Sequence, residues 1–179
     1  YMQNLLMRGN RTTKVNADNF SAFNSPNYPY LAEVGVDIKY HDKFILTPDF
    51  EQPVKFNYHL NNDVAIIKLF PGIQKNVVNA ILSVPNLKGV VLETFGSGNA
   101  LRDQWFIDLL SEAMDKGIVV VNVTQCLYGN VEMHRYGTGQ HLERLGVVSG
   151  HDMTAEAALA KLMSLLGNGK QPNAVRHLM

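Results

Sequence analysis

Val64-Ala65-Ile66-Ile67-Lys68-Leu69-Phe70, closed by Pro71-Gly72, is the stretch that decides the fold of this chain. The run is apolar almost throughout instead of alternating, which is the pattern of a strand buried on both faces of a parallel sheet. A helix is predicted next, from about Ile73 to Leu82, with Val77, Val78, Ile81 and Leu82 on its apolar side. Gly89 to Thr94 reads as a second strand and Arg102 to Lys116 as a second helix. In that helix Phe106, Leu109, Leu110 and Ala113 recur at i, i+3, i+4 and i+7, the spacing of a core-facing stripe. Gly117 ends it, and Ile118 to Val123 is the next strand. Thr154 reads as an N-cap with Glu156 in the first turn, opening a helix that buries Leu159, Leu162, Met163 and Leu166. Right-handed crossovers assemble such a series into a small three-layer α/β unit.

Residues 1–40 do not belong to that unit and read as the tail of a preceding domain. Asn24 to Leu31, rich in proline, asparagine and tyrosine, is expected to be loop. Val36 to Tyr40 is a short alternating strand, Lys55 to Leu60 is a further candidate strand, and residues 41–62 form the most linker-like part of the chain. The expected architecture is therefore α/β: a three-layer parallel-sheet carboxy-terminal domain over residues 63–179, preceded by the tail of a larger amino-terminal α/β domain.

The 179 residues are 46% hydrophobic and 18% charged, with 16 basic and 16 acidic side chains, an ordinary globular balance. A chain of this length buries about 70% of the surface its unfolded form exposes and needs no disulfide staples. With a single cysteine no intrachain disulfide can form, and a reducing, cytoplasmic compartment is the simplest expectation. No apolar run reaches the length of a membrane span, and no signal peptide is evident. Balanced charge, without aromatic residues interleaved among basic ones, gives no case for nucleic-acid binding.

Several segments carry candidate chemistry, each beside a blander reading. In Arg8-Gly9-Asn10-Arg11-Thr12-Thr13-Lys14, a lysine beside threonine hydroxyls suits proton transfer if burial lowers its pKa. Spacing alone favours a solvated basic turn. Gly96-Ser97-Gly98-Asn99 lies between a strand and a helix, but Leu101 stands where a nucleotide-binding turn would carry its third glycine. Asn99 either binds a polar substrate group or only makes the turn. Tyr136, in Arg135-Tyr136-Gly137-Thr138-Gly139, is by itself more readily a packing residue than a functional one. Cys126 invites a nucleophile reading near His134 and His141, which is rejected: a lone cysteine at a buried strand end behaves as a small hydrophobe. His151-Asp152 lacks further converging ligands, so no metal site is expected, and Asp152 and Thr154 are read as helix caps.

Taken together, four ordered segments resemble the L-asparaginases, especially the cytosolic type I enzymes. They are Arg8 to Lys14 with the polar stretch Asn16 to Asn27, Gly89 to Ala100, Gly117 to Cys126, and Gly146 to Ala158. The resemblance implies hydrolysis of the side-chain amide of L-asparagine to aspartate and ammonia through a threonine acyl-enzyme, with no metal or organic cofactor. Carried over residue by residue, Lys14 matches the lysine that activates the attack, with the Thr13 hydroxyl beside it. Tyr136 matches a tyrosine close to the nucleophile, and Asn99 the asparagine of the glycine-rich loop. That asparagine is normally followed by Ala-Pro, whereas Ala100-Leu101 follows here. Cys126 and Thr13 fall near a second, regulatory asparagine site. Regulated enzymes hold the effector's carboxylate there with an arginine at the position of Glu93, so the acid reverses the charge and argues against activation by asparagine.

The nucleophile and its Thr-Asp partners belong to Thr-Gly-Gly-Thr and Gly-Thr-Asp-Thr segments, and neither motif occurs among the 179 residues. The expectation is that this chain is the later part of an asparaginase, inactive by itself, whose family assembles as homodimers or homotetramers. The alternatives are a non-catalytic ligand-binding or dimerisation module of the same fold and a tRNA-dependent amidotransferase subunit.

Overall fold

A computed structural model describes residues 1–54, 56–135 and 137–179. The chain divides into two compact units, Tyr1–Asn57 and Tyr58–Met179. The first unit has short strands: β1 (Leu5–Leu6), β2 (Thr13–Lys14), β3 (Phe23–Asn24), β4 (Ala32–Val34) and β5 (Ile38–Tyr40). β1, β4 and β5 form one antiparallel sheet, and β2 pairs with β3 as a separate ribbon in which Thr13 faces Asn24 and Lys14 faces Phe23. The strand expected at Val36 begins only at Ile38, because the Gly35 amide donates to the Asp37 carbonyl in the preceding turn. No strand forms over residues 56–60. Phe56 and Tyr58 are exposed there, at 72% and 81%.

The second unit is a four-stranded parallel sheet in chain order, β6 (Val64–Lys68), β7 (Gly89–Thr94), β8 (Val119–Thr124) and β9 (Val148–Ser149). Its helices are α1 (Lys75–Leu82), α2 (Gln104–Asp115), α3 (Gly137–Leu145), α4 (Ala155–Gly167) and α5 (Pro172–Leu178). One apolar cluster joins Ile67, Val90, Leu92 and Val120 of the sheet to Val78, Phe106, Leu110 and Leu142 of α1, α2 and α3. The other joins Val91, Val119, Val121 and Val123 to Ala158, Leu162 and Val175 of α4 and α5. Successive strand residues thus go to opposite faces, and β7 and β8, covered on both, read as continuous apolar runs for that reason. On the edge strand β6 only Ile67 is buried and Ile66 is 42% exposed, so the burial on both faces expected of Val64–Phe70 is not found. Sequential strand order with α1, α2 and α3 on one face is the arrangement that crossovers of one hand produce.

The α/β, three-layer expectation stands for this unit, with local corrections. α1 starts at Lys75, and only Val78 and Leu82 are buried on it; Val77 is 43% exposed. One residue further round an eight-residue helix is about 100° off the buried stripe. β9 pairs with β8 through Val121–Val148 and Asn122–Ser149, a two-residue strand too short to show a period. On α4 the Ala157 amide donates to the Thr154 hydroxyl at 3.1 Å, as the capping reading requires.

Candidate functional site

The carboxyl ends of parallel strands are where an α/β sheet presents groups to ligands. After β7 the chain folds back at once: the Phe95 amide donates to the Asn99 carbonyl at 2.9 Å and the Asn99 amide to the Phe95 carbonyl at 2.8 Å. Gly98 takes a φ of 105°, and a Cβ there would lie 2.8 Å from Val131 Cγ1 and 3.3 Å from Asn122 Nδ2. Glycine is required on both counts, left-handed backbone and close approach.

Beneath this turn is a polar pair in an otherwise apolar layer. Thr94 at the end of β7 and Asn122 on β8 are both fully buried, and the Thr94 hydroxyl donates to Asn122 Oδ1 at 2.6 Å. Asn122 Nδ2 then donates to the Gly98 carbonyl at 3.3 Å, and the Thr124 hydroxyl reaches the Gly96 carbonyl. Both glycine carbonyls of the loop are therefore held by side chains of β8. Buried polar groups persist when they are satisfied in this way.

Asn99 is half-buried, and its side-chain Oδ1 accepts from the Thr138 hydroxyl at 2.9 Å. Thr138 lies in the first turn of α3, so the structure brings the glycine-rich loop and the start of α3 together. A Cβ on Gly139 would fall within 3 Å of the Met133 backbone, so α3 starts in direct contact with the preceding 3-10 turn, Met133–Arg135. Tyr136, proposed from the sequence, lies outside the described residues.

Cys126 is exposed, not buried as expected, because it lies two residues beyond the end of β8. Its amide donates to the Thr124 hydroxyl at 3.0 Å, linking it through Thr124 to the Gly96 turn. Beside it, Gln125 Nε2 donates to the Leu69 and Glu93 carbonyls at 2.6 and 2.9 Å and ties the ends of three strands together. The Glu93 carboxylate pairs with Lys68 Nζ at 3.2 Å.

Thr13 and Lys14 belong to the first unit, where Thr13 is half-buried and Lys14 is exposed on β2. Their loop is not merely a solvated basic turn. Arg8 and Arg11 place their guanidinium carbons 4.3 and 5.2 Å from the Tyr28 ring centroid, and Arg8 Nη2 donates to the Phe44 carbonyl at 2.7 Å. Tyr28 and Phe44 meet edge to face, centroids 6.0 Å apart. Two of the three basic side chains are thus spent on holding the loop, by cation–π and charged hydrogen-bond contacts.

Among the described residues no group of three or more histidine, cysteine or carboxylate side chains could hold a metal ion. Sequence reasoning missed Thr94, Asn122 and Thr138. The signal for the first two was a polar residue inside Val119-Val120-Val121-Asn122-Val123, and a threonine closing the facing strand. Thr138 carried no signal of its own.

The comparisons with known proteins agree with the segments quoted at the start. The family model of the glutaminase/asparaginase C-terminal domain matches residues 63–179, and that of the asparaginase N-terminal domain matches residues 1–46. L-asparaginase 1 of Escherichia coli K12 is 40% identical over 188 residues, all of this chain and 52% of that protein. The 60 kDa lysophospholipase of Mus musculus is 44% identical over 167 residues, 93% of this chain and 29% of that protein. Among solved structures, L-asparaginase I from Vibrio cholerae matches with a TM-score of 0.92 at 40% identity, covering 99% of this chain and 53% of that one. The chain spans about half the length of these asparaginases and less than a third of the lysophospholipase. With the carboxy-terminal model covering most of its residues and the amino-terminal model preceding it in order, the chain belongs to the glutaminase/asparaginase family.

Proposed function

We propose that this chain works as part of an L-asparaginase of the cytoplasmic type I class, acting as a homodimer or homotetramer. In this reading residues 1–40 close an amino-terminal catalytic domain, residues 41–62 cross from it, and residues 63–179 form the carboxy-terminal domain. A threonine hydroxyl attacks the side-chain amide carbon of L-asparagine, ammonia leaves, and water releases aspartate from the acyl-enzyme. Lys14 holds or moves the proton of the attack, Thr13 lies beside it, and Tyr136 contributes close to the nucleophile. Asn99 contacts a polar group of the ligand. Cys126 borders a second ligand position, where Glu93, paired with Lys68, sets an acid in place of a cation for an effector's carboxylate.

The observation that carries this reading is the ordered match of both asparaginase family models along the chain, with 40% identity to an L-asparaginase over its whole length. Net charge of zero supports a small-molecule substrate over a charged RNA. The threonine nucleophile is placed in the part of the relatives that these residues do not span. The test is ammonia release from L-asparagine by the chain supplied with that part. Release that vanishes with Lys14→Met supports the reading, and release indifferent to Lys14 removes the residue from the mechanism.

A further inference from the structure

Lys14 is carried by a short ribbon. Thr13 and Lys14 pair with Asn24 and Phe23, and residues 14–21 beyond them are exposed. A two-stranded ribbon is marginal by itself in water, so its path depends on what anchors its base. Here the anchoring contacts gather on Arg8. Arg8 Nη2 donates to the Phe44 carbonyl at 2.7 Å, and its guanidinium carbon stands 4.3 Å from the Tyr28 ring centroid. The Arg8 carbonyl accepts from the Thr12 hydroxyl at 2.7 Å, directly ahead of β2. Tyr28 follows β3 on the returning limb. Its carbonyl accepts from Ser25 Oγ at 2.8 Å, and its hydroxyl donates to the same Phe44 carbonyl at 3.2 Å. Phe44 closes the 3-10 turn Asp42–Phe44. One half-buried side chain thus ties the outgoing limb of the ribbon to its returning limb and to that turn. A planar guanidinium suits the task, since it stacks on a ring with its face and donates from its edge.

We propose that Arg8 is a positioning residue: through the Phe44 carbonyl and the Tyr28 ring it fixes the base of the Thr13–Lys14 ribbon, and with it the place at which Lys14 meets the proton of the attack. The proposal rests on the reading of Lys14 as the proton-transfer partner and goes beyond it by naming the group that holds that lysine in place. Arg8→Met keeps an apolar stem and removes both the donor and the cation. Arg8→Lys keeps the charge without the planar fork and should restore only part of the effect.

The test has two arms, one on the 179-residue chain and one on the chain supplied with the amino-terminal part of its asparaginase relatives. In the first, hydrogen exchange follows the Val15 amide, which donates to the Ala22 carbonyl at 2.8 Å across the ribbon. Arg8→Met should speed its exchange about tenfold, the effect of one lost charged hydrogen bond, and leave the amides of β7 and β8 unchanged. In the second, kcat and KM for ammonia release are read below the thermal transition of each variant, where a merely structural role leaves kcat unchanged. Arg8→Met should lower kcat at least about tenfold, as misplacement of a reacting group does, with KM nearly constant. Arg8→Lys should fall between the wild type and Arg8→Met in both arms. Arg8→Gln, without the cation, is the second variant should methionine disturb folding. Unchanged Val15 exchange in Arg8→Met, or full kcat in a preparation whose release is lost with Lys14→Met, overturns the proposal alone. Release that is absent, or indifferent to Lys14→Met, overturns the reading of Lys14 and the proposal with it.

Discussion

Lys68 Nζ stands 3.2 Å from Glu93 Oε2, across a register in which the two residues are direct partners on the parallel strands β6 and β7. Glu93 is well covered, with 13% of its side chain accessible, while Lys68 is 65% accessible. An acid at this strand end therefore has its counter-charge built in from the neighbouring strand.

The pair should matter more for sign than for stability. With Lys68 largely in water, Lys68→Met is expected to cost less than about 1 kcal/mol. Glu93→Arg sets like charges on directly paired residues and should cost more than Lys68→Met. Urea midpoints of the two variants check the order, and equal midpoints would show that the pairing is not felt.

The Thr94–Asn122 pair should behave as a buried, coupled unit. Thr94→Val leaves Asn122 Oδ1 without its donor inside the sheet and is expected to cost about 1–3 kcal/mol. Asn122→Leu alone should cost a comparable amount, and the double variant less than the sum of the two, with a coupling of about 0.5–3 kcal/mol. Strict additivity in a double-mutant cycle would mean that the two side chains do not depend on each other.

Gly139→Ala forces a methyl group into the Met133 backbone and cannot be absorbed by a rotamer change. Overpacking of this kind costs about 1–3 kcal/mol. For a chain of this size that lowers the thermal midpoint by about 2–4 °C per kcal/mol. Differential scanning calorimetry reads it directly, and an unchanged midpoint would place α3 farther from the 3-10 turn than described.

Cys126 should label in the native chain. Its exposure predicts one thiol modified per molecule by a maleimide without denaturant, with the far-UV circular dichroism unchanged. Labelling that appears only in urea would return the residue to the interior.

The strands β7 and β8 were legible because burial on both faces leaves an unbroken apolar run in the sequence, and β6 was found by the same kind of run although its Ile66 is exposed at the sheet edge. Phe106, Leu109, Leu110 and Ala113 were legible because a twelve-residue helix shows its period clearly. What failed was short or tertiary in origin. Two-residue β9 has no period, and Val77 looked inward only because an eight-residue helix gives too few turns to fix its buried stripe. Cys126 was placed by extending β8 beyond Thr124, where the chain has already left the sheet. At the candidate site, the glycines of Gly96-Ser97-Gly98 announced a turn. The side chains that hold it come from residues 24 to 39 positions away, a distance that no local pattern encodes.

The measurement that bears most directly on the asparaginase reading is ammonia release from L-asparagine by three preparations. These are this chain alone, the chain with the amino-terminal part of its asparaginase relatives co-expressed, and the same pair carrying Lys14→Met. The account predicts silence from the chain alone, release from the pair, and a loss of that release with Lys14→Met. Full release by the chain alone, or by the Lys14→Met pair, would contradict it.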